Sequence, residues 1–551
     1  MRARLIAALL VVAALVGGNL PGNAAIWSPP EIYNAPNNIV GVNIVDSFFN
    51  TGEQVSRLEA MGEPMIRPDG TPNSRLCTSP GVAPCNQSNQ TLQGTLLLPA
   101  CQTAAEAWCI ESVGIRKKSD AEGKSAKFIR QVDSQIVPDL PGDGIPGGSS
   151  MSLWNAEGFK NSGGVETYAA YVVVKGSKSP GRPFTFTEFT AMLIPYSEKR
   201  GTNDFGMPFE RAFAEEITLP DGSIRVTTRG VANGCAWTET GVCGLIEDFP
   251  ADVRATMTLR MSNQLTGWLM GRMTEPTIDV TPINTEINKL VVDAEPVNVP
   301  KFYVTVERSK VTPAIAQMLP PNADFSGIYN TQPNNSKAFL EIEAWKDAAQ
   351  DKAAGLVTTW SVTTVSFGFD PMGCLSDRTK LLGVVTTNAM VYEGTAPAFE
   401  NGSLNYKVGG MHLNPDGSVF QGTYDLVMRK ATAQCLYGFT DAPITATVTV
   451  VDAGKEQRIE TSSLQELGSG ANKWLKLSAR GFTFSSPTLK IKLNQAKPAA
   501  PTAPATEQKA AAPAAPVVKA PAKTSITCVK GKLTRKVLGV APKCPAGFKK
   551  K

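Results

Sequence analysis

The sequence predicts a mainly β protein whose body holds two antiparallel, sandwich-like modules. Two observations predict this class: several segments alternate apolar and polar residues with a period of two, and Pro-Asp-Gly turn signals stand between such segments. Segments with helical spacing are few and short. The 551 residues are 42% hydrophobic, which is enough to build about three packed cores.

The alternation is clearest at residues 255–261. Ala255, Met257 and Leu259 take every second position, and polar residues stand between them. Successive side chains of a strand point to opposite faces, so this pattern indicates a sheet with one buried face. Similar strands are predicted at 301–307, 444–450, 489–493, 167–174, 184–194, 356–367, 381–392 and 482–485. The run 184–194 changes phase between Phe186 and Phe189, which predicts a β-bulge.

Turn and helix signals divide the body. Pro-Asp-Gly begins at Pro68, Pro220 and Pro415 and predicts tight reversals. Helices are predicted at 53–61, at 312–319 with Thr312 as N-cap, and at 346–354. We therefore expect a loop-rich, disulfide-clipped region at 25–148, one β module at 149–309 and a second at 310–495.

The N-terminus has the pattern of a secretory signal peptide. Arg2 and Arg4 precede an apolar run at 5–16, and small residues lead to Ala24, after which we expect cleavage. An apolar run of this length is too short for a mature membrane helix, although an uncleaved anchor remains the alternative. No other segment approaches the length of a membrane span, so the mature chain is expected to have no transmembrane segment. The predicted location is outside the cell, secreted or associated with the surface or wall.

The ten cysteines form an even set, which in an exported protein indicates disulfides. Three potential pairs share one short spacing, and the remaining four cysteines divide into one long and one short loop. Zinc is the alternative, but zinc ribbons use closer spacings and this chain has a single histidine, so we expect no metal or cofactor. The predicted pairs are Cys77 with Cys85, Cys101 with Cys109, Cys235 with Cys243, Cys374 with Cys435, and Cys528 with Cys544.

Charge is distributed unevenly. Residues 25–489 carry 38 basic and 48 acidic side chains, whereas residues 490–551 carry 14 basic and one acidic. An acidic body argues against nucleic acid as a partner. The basic end suits anionic envelope polymers or acidic lipid headgroups, although a tail that is merely solvated is the alternative. The expected envelope-binding residues are Lys530, Lys532, Arg535, Lys536, Lys543, Lys549, Lys550 and Lys551.

The last 56 residues divide in two. Residues 496–525 are almost wholly Ala, Pro and Lys, which predicts a disordered, extended linker. Residues 526–551 read ITCVKGKLTRKVLGVAPKCPAGFKKK. This ending resembles a C-terminal motif of secreted and cell-surface actinobacterial proteins, ITCxKGK…KCPxGYKKK behind a Pro/Ala-rich spacer, with Phe548 in place of the more usual Tyr. The resemblance implies an attachment or delivery element and no particular activity.

Candidate catalytic groups are sparse, and we expect none of them to be catalytic. His412 precedes a predicted turn, where an exposed hairpin histidine is the commoner case. Glu341 and Glu343 would share one face of a predicted strand, either as a glycosidase pair or as an ordinary wet face. Asp139 and Asp143 lie in a Gly/Pro-rich segment that suits either a calcium loop or an inter-domain loop.

Four tryptophans in loop-like surroundings could bind sugar rings or pack over disulfides: Trp27, Trp108, Trp154 and Trp237. Together these features predict a secreted cell-surface protein with a non-catalytic structural or ligand-binding, adhesion-like role. The alternative is a secreted hydrolase that acts on polysaccharide or peptidoglycan.

Overall fold

The computed structural model describes most of the body and the C-terminal end. The described residues are 38–44, 46, 54–68, 72–78, 83–86, 89–132, 137–140, 143–202, 206–230, 235–319, 327–438, 444–452, 455–458, 463–469, 472–484, 488–495, 524–531, 533–539 and 542–551. The predicted signal segment 1–24 and residues 496–523 of the predicted linker lie outside them. Of the described residues, 55% are in strands and 7% in helices, which confirms the predicted mainly β class.

The N-terminal half contains eighteen described strands. They are β1 (Ile39–Ile44), β2 (Arg57–Ile66), β3 (Pro72–Leu76), β4 (Thr91–Leu97), β5 (Cys109–Lys117), β6 (Lys127–Gln131), β7 (Ser152–Asn155), β8 (Thr167–Lys178), β9 (Thr185–Arg200), β10 (Phe213–Thr218), β11 (Ile224–Arg229), β12 (Trp237–Glu239), β13 (Val242–Ile246), β14 (Val253–Ser262), β15 (Gly267–Arg272), β16 (Thr274–Pro282), β17 (Ile287–Glu295) and β18 (Val297–Glu307).

The C-terminal half contains sixteen described strands and the three described α-helices. The strands are β19 (Gly327–Thr331), β20 (Gly355–Thr359), β21 (Ser361–Val365), β22 (Leu381–Thr387), β23 (Val391–Tyr392), β24 (Ala398–Glu400), β25 (Ser403–Gly409), β26 (Gly422–Arg429), β27 (Ile444–Asp452), β28 (Lys455–Arg458), β29 (Ser463–Leu467), β30 (Trp474–Phe482), β31 (Thr488–Gln495), β32 (Thr524–Lys530), β33 (Leu533–Gly539) and β34 (Lys549–Lys550). The helices are α1 (Pro313–Met318), α2 (Ser336–Trp345) and α3 (Lys430–Tyr437), and a 3₁₀ turn spans Arg308–Lys310.

One fifteen-stranded sheet runs through the body. Its main path is β29-β30-β26-β22-β15-β21-β9-β8-β4-β2-β3, and β6, β7, β12 and β13 branch from β8 and β9. Its strands come from all three predicted segments, so the expected boundaries near residues 148 and 309 do not separate independent sheets. The pairings are antiparallel except for β15 with β22, which are parallel. Parallel neighbours need a long crossover, and residues 273–380 supply it.

Two smaller sheets pack against this large sheet and give two sandwich-like layers. The first holds β16-β17-β14-β5, and the second has the order β23-β25-β31-β27-β28 with β24 at its side. The predicted alternation of β14 is confirmed, because Ala255, Met257 and Leu259 are buried in the first core. Leu489 and Ile491 of β31 are buried in the second core.

Strand β8 is apolar at every position from Tyr168 to Val174 because both faces of this stretch are covered. Ala170 and Val172 pack into the core of the first sandwich, whereas Tyr171 and Val173 pack into a separate cluster on the opposite face. Its partner β9 carries the expected bulge: Lys175 pairs with Glu188 and Gly176 pairs with Phe186, so one residue of β9 is left over. This extra residue causes the phase change that the sequence shows between Phe186 and Phe189.

A third, four-stranded sheet carries helices α1 and α2. Its order is β19-β1-β18-β20, and β1 pairs with β19 in parallel. Helix α1 follows the prediction, since the Thr312 side chain accepts a hydrogen bond from Ile315 N and Pro313 opens the first turn. Ile315 and Trp345 of the two helices pack with Phe302 of β18 in one core.

Three local predictions are wrong. In place of the helix expected at 53–61, residues 57–61 belong to strand β2, where Leu58 and Ala60 are buried and pair with β4. The strand expected around Glu341 is helix α2, which Asn335 caps through Lys337 N. The helix expected at 346–354 is a turn region in which Gln350 and Asp351 have positive φ.

The five predicted disulfides are all present, and no cysteine is free. Two of the three Pro-Asp-Gly turns are confirmed, with Gly222 and Gly417 at positive φ, whereas the first includes residues outside the described ones. No helix within the described part of the chain is long and apolar enough to cross a membrane. The chain divides into two compact units, Met1–Ala496 and Lys497–Lys551.

Candidate functional site

The second unit is a small three-stranded sheet with the order β33-β32-β34. Strands β32 and β33 form a hairpin in which Lys530 pairs with Leu533, and Gly531 occupies the left-handed conformation that this tight turn requires. Cys528 is fully buried and bonded to Cys544. Gly547 also has positive φ. These glycines and cysteines stand in the segment 526–551 that the sequence analysis singled out, and here they shape the fold of the unit.

Residues 524–551, which the structure describes within the second unit, carry charge of one sign. They contain eight basic side chains and no aspartate or glutamate. Lys532 and the side chain of Arg535 lie outside the described structure. The other six predicted envelope-binding residues are exposed, and none pairs with a carboxylate among the described residues: Lys530, Lys536, Lys543, Lys549, Lys550 and Lys551.

The register brings two of these lysines to the same face. Lys536 pairs with Thr527, and Lys549 pairs with Val529, which lies two residues further along β32. Residues two apart share a face of a sheet, so the two lysines lie on the same face, one on each strand that neighbours β32. Lysine is a flexible point charge, and several such charges on a small surface attract a polyanion without requiring one fixed geometry.

The body contains a separate cleft of about 560 Å³, formed where its sheets meet. Lys118 follows β5, Glu295 and Asn298 flank the corner between β17 and β18, and Thr358 belongs to β20. The loop at 414–421 closes one side. A volume of this size lies within the roughly 300–1,000 Å³ range of small-ligand sites.

Two carboxylates stand at one end of the cleft. Lys118 Nζ lies 2.9 Å from Glu295 Oε2 and 4.0 Å from Asp252 Oδ1. Arg254 Nη1 also lies 3.4 Å from Glu295 Oε1. Glycosidases place one of their two carboxyl groups in an apolar pocket, whereas Lys118 stands beside both of these carboxylates.

Two titratable groups with shifted pKa values adjoin the cleft. Burial raises the pKa of Asp248, which follows Glu247 and accepts a hydrogen bond from Thr358 N at 3.4 Å. Burial lowers the pKa of Lys301, against the attraction of Asp248. Both shifts favour the neutral form, and perturbed groups beside a cleft are typical of binding and catalytic sites.

His412 anchors the loop at 414–421 and is not a simple exposed hairpin histidine. Its Nδ1 lies 2.6 Å from Asp351 Oδ2, and its backbone N donates to Asp351 Oδ1 at 3.0 Å. Phe420 N donates to the carbonyl oxygen of His412. The imidazole has no second hydrogen-bond partner among the described residues, so no hydroxyl is placed there for a Ser-His-Asp relay.

Glu341 and Glu343 do not form a pair. Both lie on α2, where residues two apart point to nearly opposite sides. Glu341 is buried and bonds Lys337 Nζ at 3.0 Å, whereas Glu343 is exposed. Neither alternative for these positions therefore holds, since the two glutamates form neither a glycosidase pair nor the wet face of a strand.

Asp143 and three of the four singled-out tryptophans have structural contacts. Asp143 is paired with Lys178 Nζ at 2.8 Å, and no group of metal-binding side chains is present within the described residues. Trp154 and Trp237 are buried, and Trp108 packs against the first core, so packing accounts for these three tryptophans. Trp27 lies outside the described residues.

The sequence interpretation missed the cleft. Its lining comes from segments far apart in the chain, such as Lys118, Thr274, Asn388 and Gln421, and no local pattern joins them. Comparison with known proteins adds nothing to this description, since no protein-family model, curated protein or solved structure matches the chain.

Proposed function

We propose that this chain is an exported, surface-retained protein with a non-catalytic role, and that the unit at 524–551 holds it on anionic polymers of the cell envelope. The observation that carries the proposal is the composition of that unit, which has eight basic residues, no acidic residue and six exposed lysines. The disulfides support an oxidising location.

Attraction between exposed lysines and a polyanion is electrostatic and weakens as salt shortens the screening length, which is about 10 Å at 0.1 M ionic strength. The acidic body carries 38 basic against 48 acidic groups and does not add to this attraction. Retention should therefore depend on the second unit and on salt.

The test uses the full chain with six lysines of this unit changed to glutamine, beside a matched variant in which the same six become arginine. Binding is measured to immobilised poly(glycerol phosphate) and to neutral dextran over a range of salt. We expect the wild type and the arginine variant to bind the phosphate polymer at low salt and to release at high salt, and the glutamine variant to bind weakly. Equal binding by the glutamine variant would refute the proposal.

A secreted hydrolase is the second candidate, because the cleft holds the two carboxylates Asp252 and Glu295, although both stand beside Lys118. The two candidate functions are distinguished by measuring whether the full chain releases reducing ends from polysaccharide and peptidoglycan. Hydrolysis that Glu295→Gln abolishes would favour the enzyme. Absence of release from every substrate would favour the non-catalytic role.

A further inference from the structure

The cleft combines amide groups with apolar surface. Four carboxamide side chains and two threonines line it beside nine apolar residues. Carboxamides both donate and accept hydrogen bonds, which matches the hydroxyl groups of a polyol. The polar members are Asn298, Asn388, Asn414, Gln421, Thr274 and Thr358.

Several of these polar atoms are available to a ligand. The exposed carboxamide of Gln421 makes no hydrogen bond to another described residue. Asn298 Oδ1 accepts from Thr358 Oγ1 at 2.8 Å, which leaves the amino group of Asn298 unused within the described structure. Asn414 contributes to the wall of the cleft and does not supply a free group, because its Nδ2 donates to Ser418 Oγ at 2.9 Å and its Oδ1 is buried.

Apolar groups stand next to these amides. Val419 and Leu356 are 51% and 39% exposed at the rim, and Phe420 and Phe249 are buried beneath. Sugar rings present hydroxyl groups at their edges and C–H groups on their faces, so they use both kinds of surface.

Charge and strand geometry argue against two other ligand classes. The charged lining residues are Lys118, Asp252 and Glu295, and the lysine is already paired with both carboxylates, so an anionic ligand finds no free cation. An extended peptide could add to the edge strand β20, but Thr358 N already donates to Asp248.

We infer that this cleft binds a neutral saccharide segment. The inference goes beyond surface retention, because the residues that carry it all belong to the body. The contact between His412 and Asp351 fixes the loop that supplies Asn414, Val419 and Gln421, so much of the site is preformed.

The experiment titrates the full chain with cellohexaose, maltohexaose and chitotetraose by calorimetry, at high salt so that the basic unit does not contribute. A uronate oligomer and an extended threonine-rich peptide are the competing probes. The double variant Asn298→Ala/Gln421→Ala is compared with Gln317→Ala, which changes an exposed glutamine on α1 outside the cleft.

We expect at least one neutral oligosaccharide to saturate a single site, and the double variant to bind it about tenfold more weakly, as the loss of two hydrogen bonds implies. Gln317→Ala should bind like the wild type. The inference is overturned if no neutral probe binds, if the uronate or the peptide binds more tightly, or if both variants lose affinity equally. The poly(glycerol phosphate) assay is independent of these outcomes, so failure here leaves the proposed retention standing.

Discussion

The disulfide between Cys374 and Cys435 should be the most stabilising of the four in the body. It joins the loop before β22 to helix α3 across a sequence separation of 61. Cys374 is buried in the second core, and the next residue, Leu375, accepts a hydrogen bond from Trp268 Nε1 at 3.2 Å. Changing both cysteines to alanine removes the cross-link and leaves this hydrogen bond in place.

The size of the effect follows from the loop that the disulfide closes. Constraint of the unfolded chain by a loop of this length contributes about 4 kcal/mol, compared with about 2.5 kcal/mol for a loop with a separation of eight. The Cys101–Cys109 bond has that shorter separation and provides the matched comparison. The difference between the two double variants should therefore be about 1.5–2 kcal/mol.

The measurement is urea unfolding of the wild type, Cys374→Ala/Cys435→Ala and Cys101→Ala/Cys109→Ala under non-reducing conditions. We expect both variants to unfold at lower urea, with the larger shift for the long-loop variant. Equal shifts, or a larger shift for the short loop, would refute the loop-entropy reasoning.

Three further predictions concern polar contacts and the linker. Asp425→Ala should lower the free energy of unfolding by about 3 kcal/mol or more, because fully buried Asp425 accepts hydrogen bonds from Ser478 and Arg480. Thermal unfolding measures this loss of stability, and a loss below about 1 kcal/mol would contradict the prediction. Burial alone would raise the pKa of Glu275, but its ion pairs lower this pKa below 4.5. The contribution of Glu275 to the stability of the fold should therefore be full above about pH 4.5 and should be lost on further acidification. Glu275→Gln should remove that part of the acid dependence of the melting temperature, and an unchanged pH profile would contradict the prediction. Limited digestion with a lysine-specific protease should cut first within 497–523, as the Ala/Pro composition predicts, and mass spectrometry showing earlier cuts in the body would contradict this.

Local patterns predicted the strands, turns and disulfides well. Alternation located β14, and the phase change before Phe189 located the bulge in β9, because both depend on which face of a strand is buried. The disulfides followed from spacing because each short loop brings its own cysteines together, as in Cys235 and Cys243.

Non-local arrangement was not accessible from the same patterns. The predicted strand around Glu341 alternates apolar and acidic residues, but the cap at Asn335 and the spacing of Phe339, Ile342 and Trp345 favour a helix that packs on β18. Segment 53–61 looks helical by composition, yet pairing with β4 makes it a strand. Tertiary pairing overrode local preference in segment 53–61, whereas at Glu341 the cap and the helical spacing were local signals that the strand interpretation missed.

The candidate sites divide in the same way. The basic unit was visible in the sequence because its charges are consecutive in the chain, from Lys530 to Lys551. The cleft was not, because Lys118 and Gln421 meet only after the sheets have assembled. The acidic partner of His412 could not be foreseen either, since Asp351 lies 61 residues earlier in the chain.

The most direct test of the account is the distribution of the protein in its native host. Cells producing the wild type, the six-lysine-to-glutamine variant and its arginine counterpart are washed at low and then at high salt, and the protein is quantified in each fraction under non-reducing conditions. We expect oxidised wild type and arginine variant on the washed cells until high salt releases them, and the glutamine variant in the medium. A glutamine variant that stays on the cells, or a wild type found in the cytoplasm with free thiols, would contradict the account.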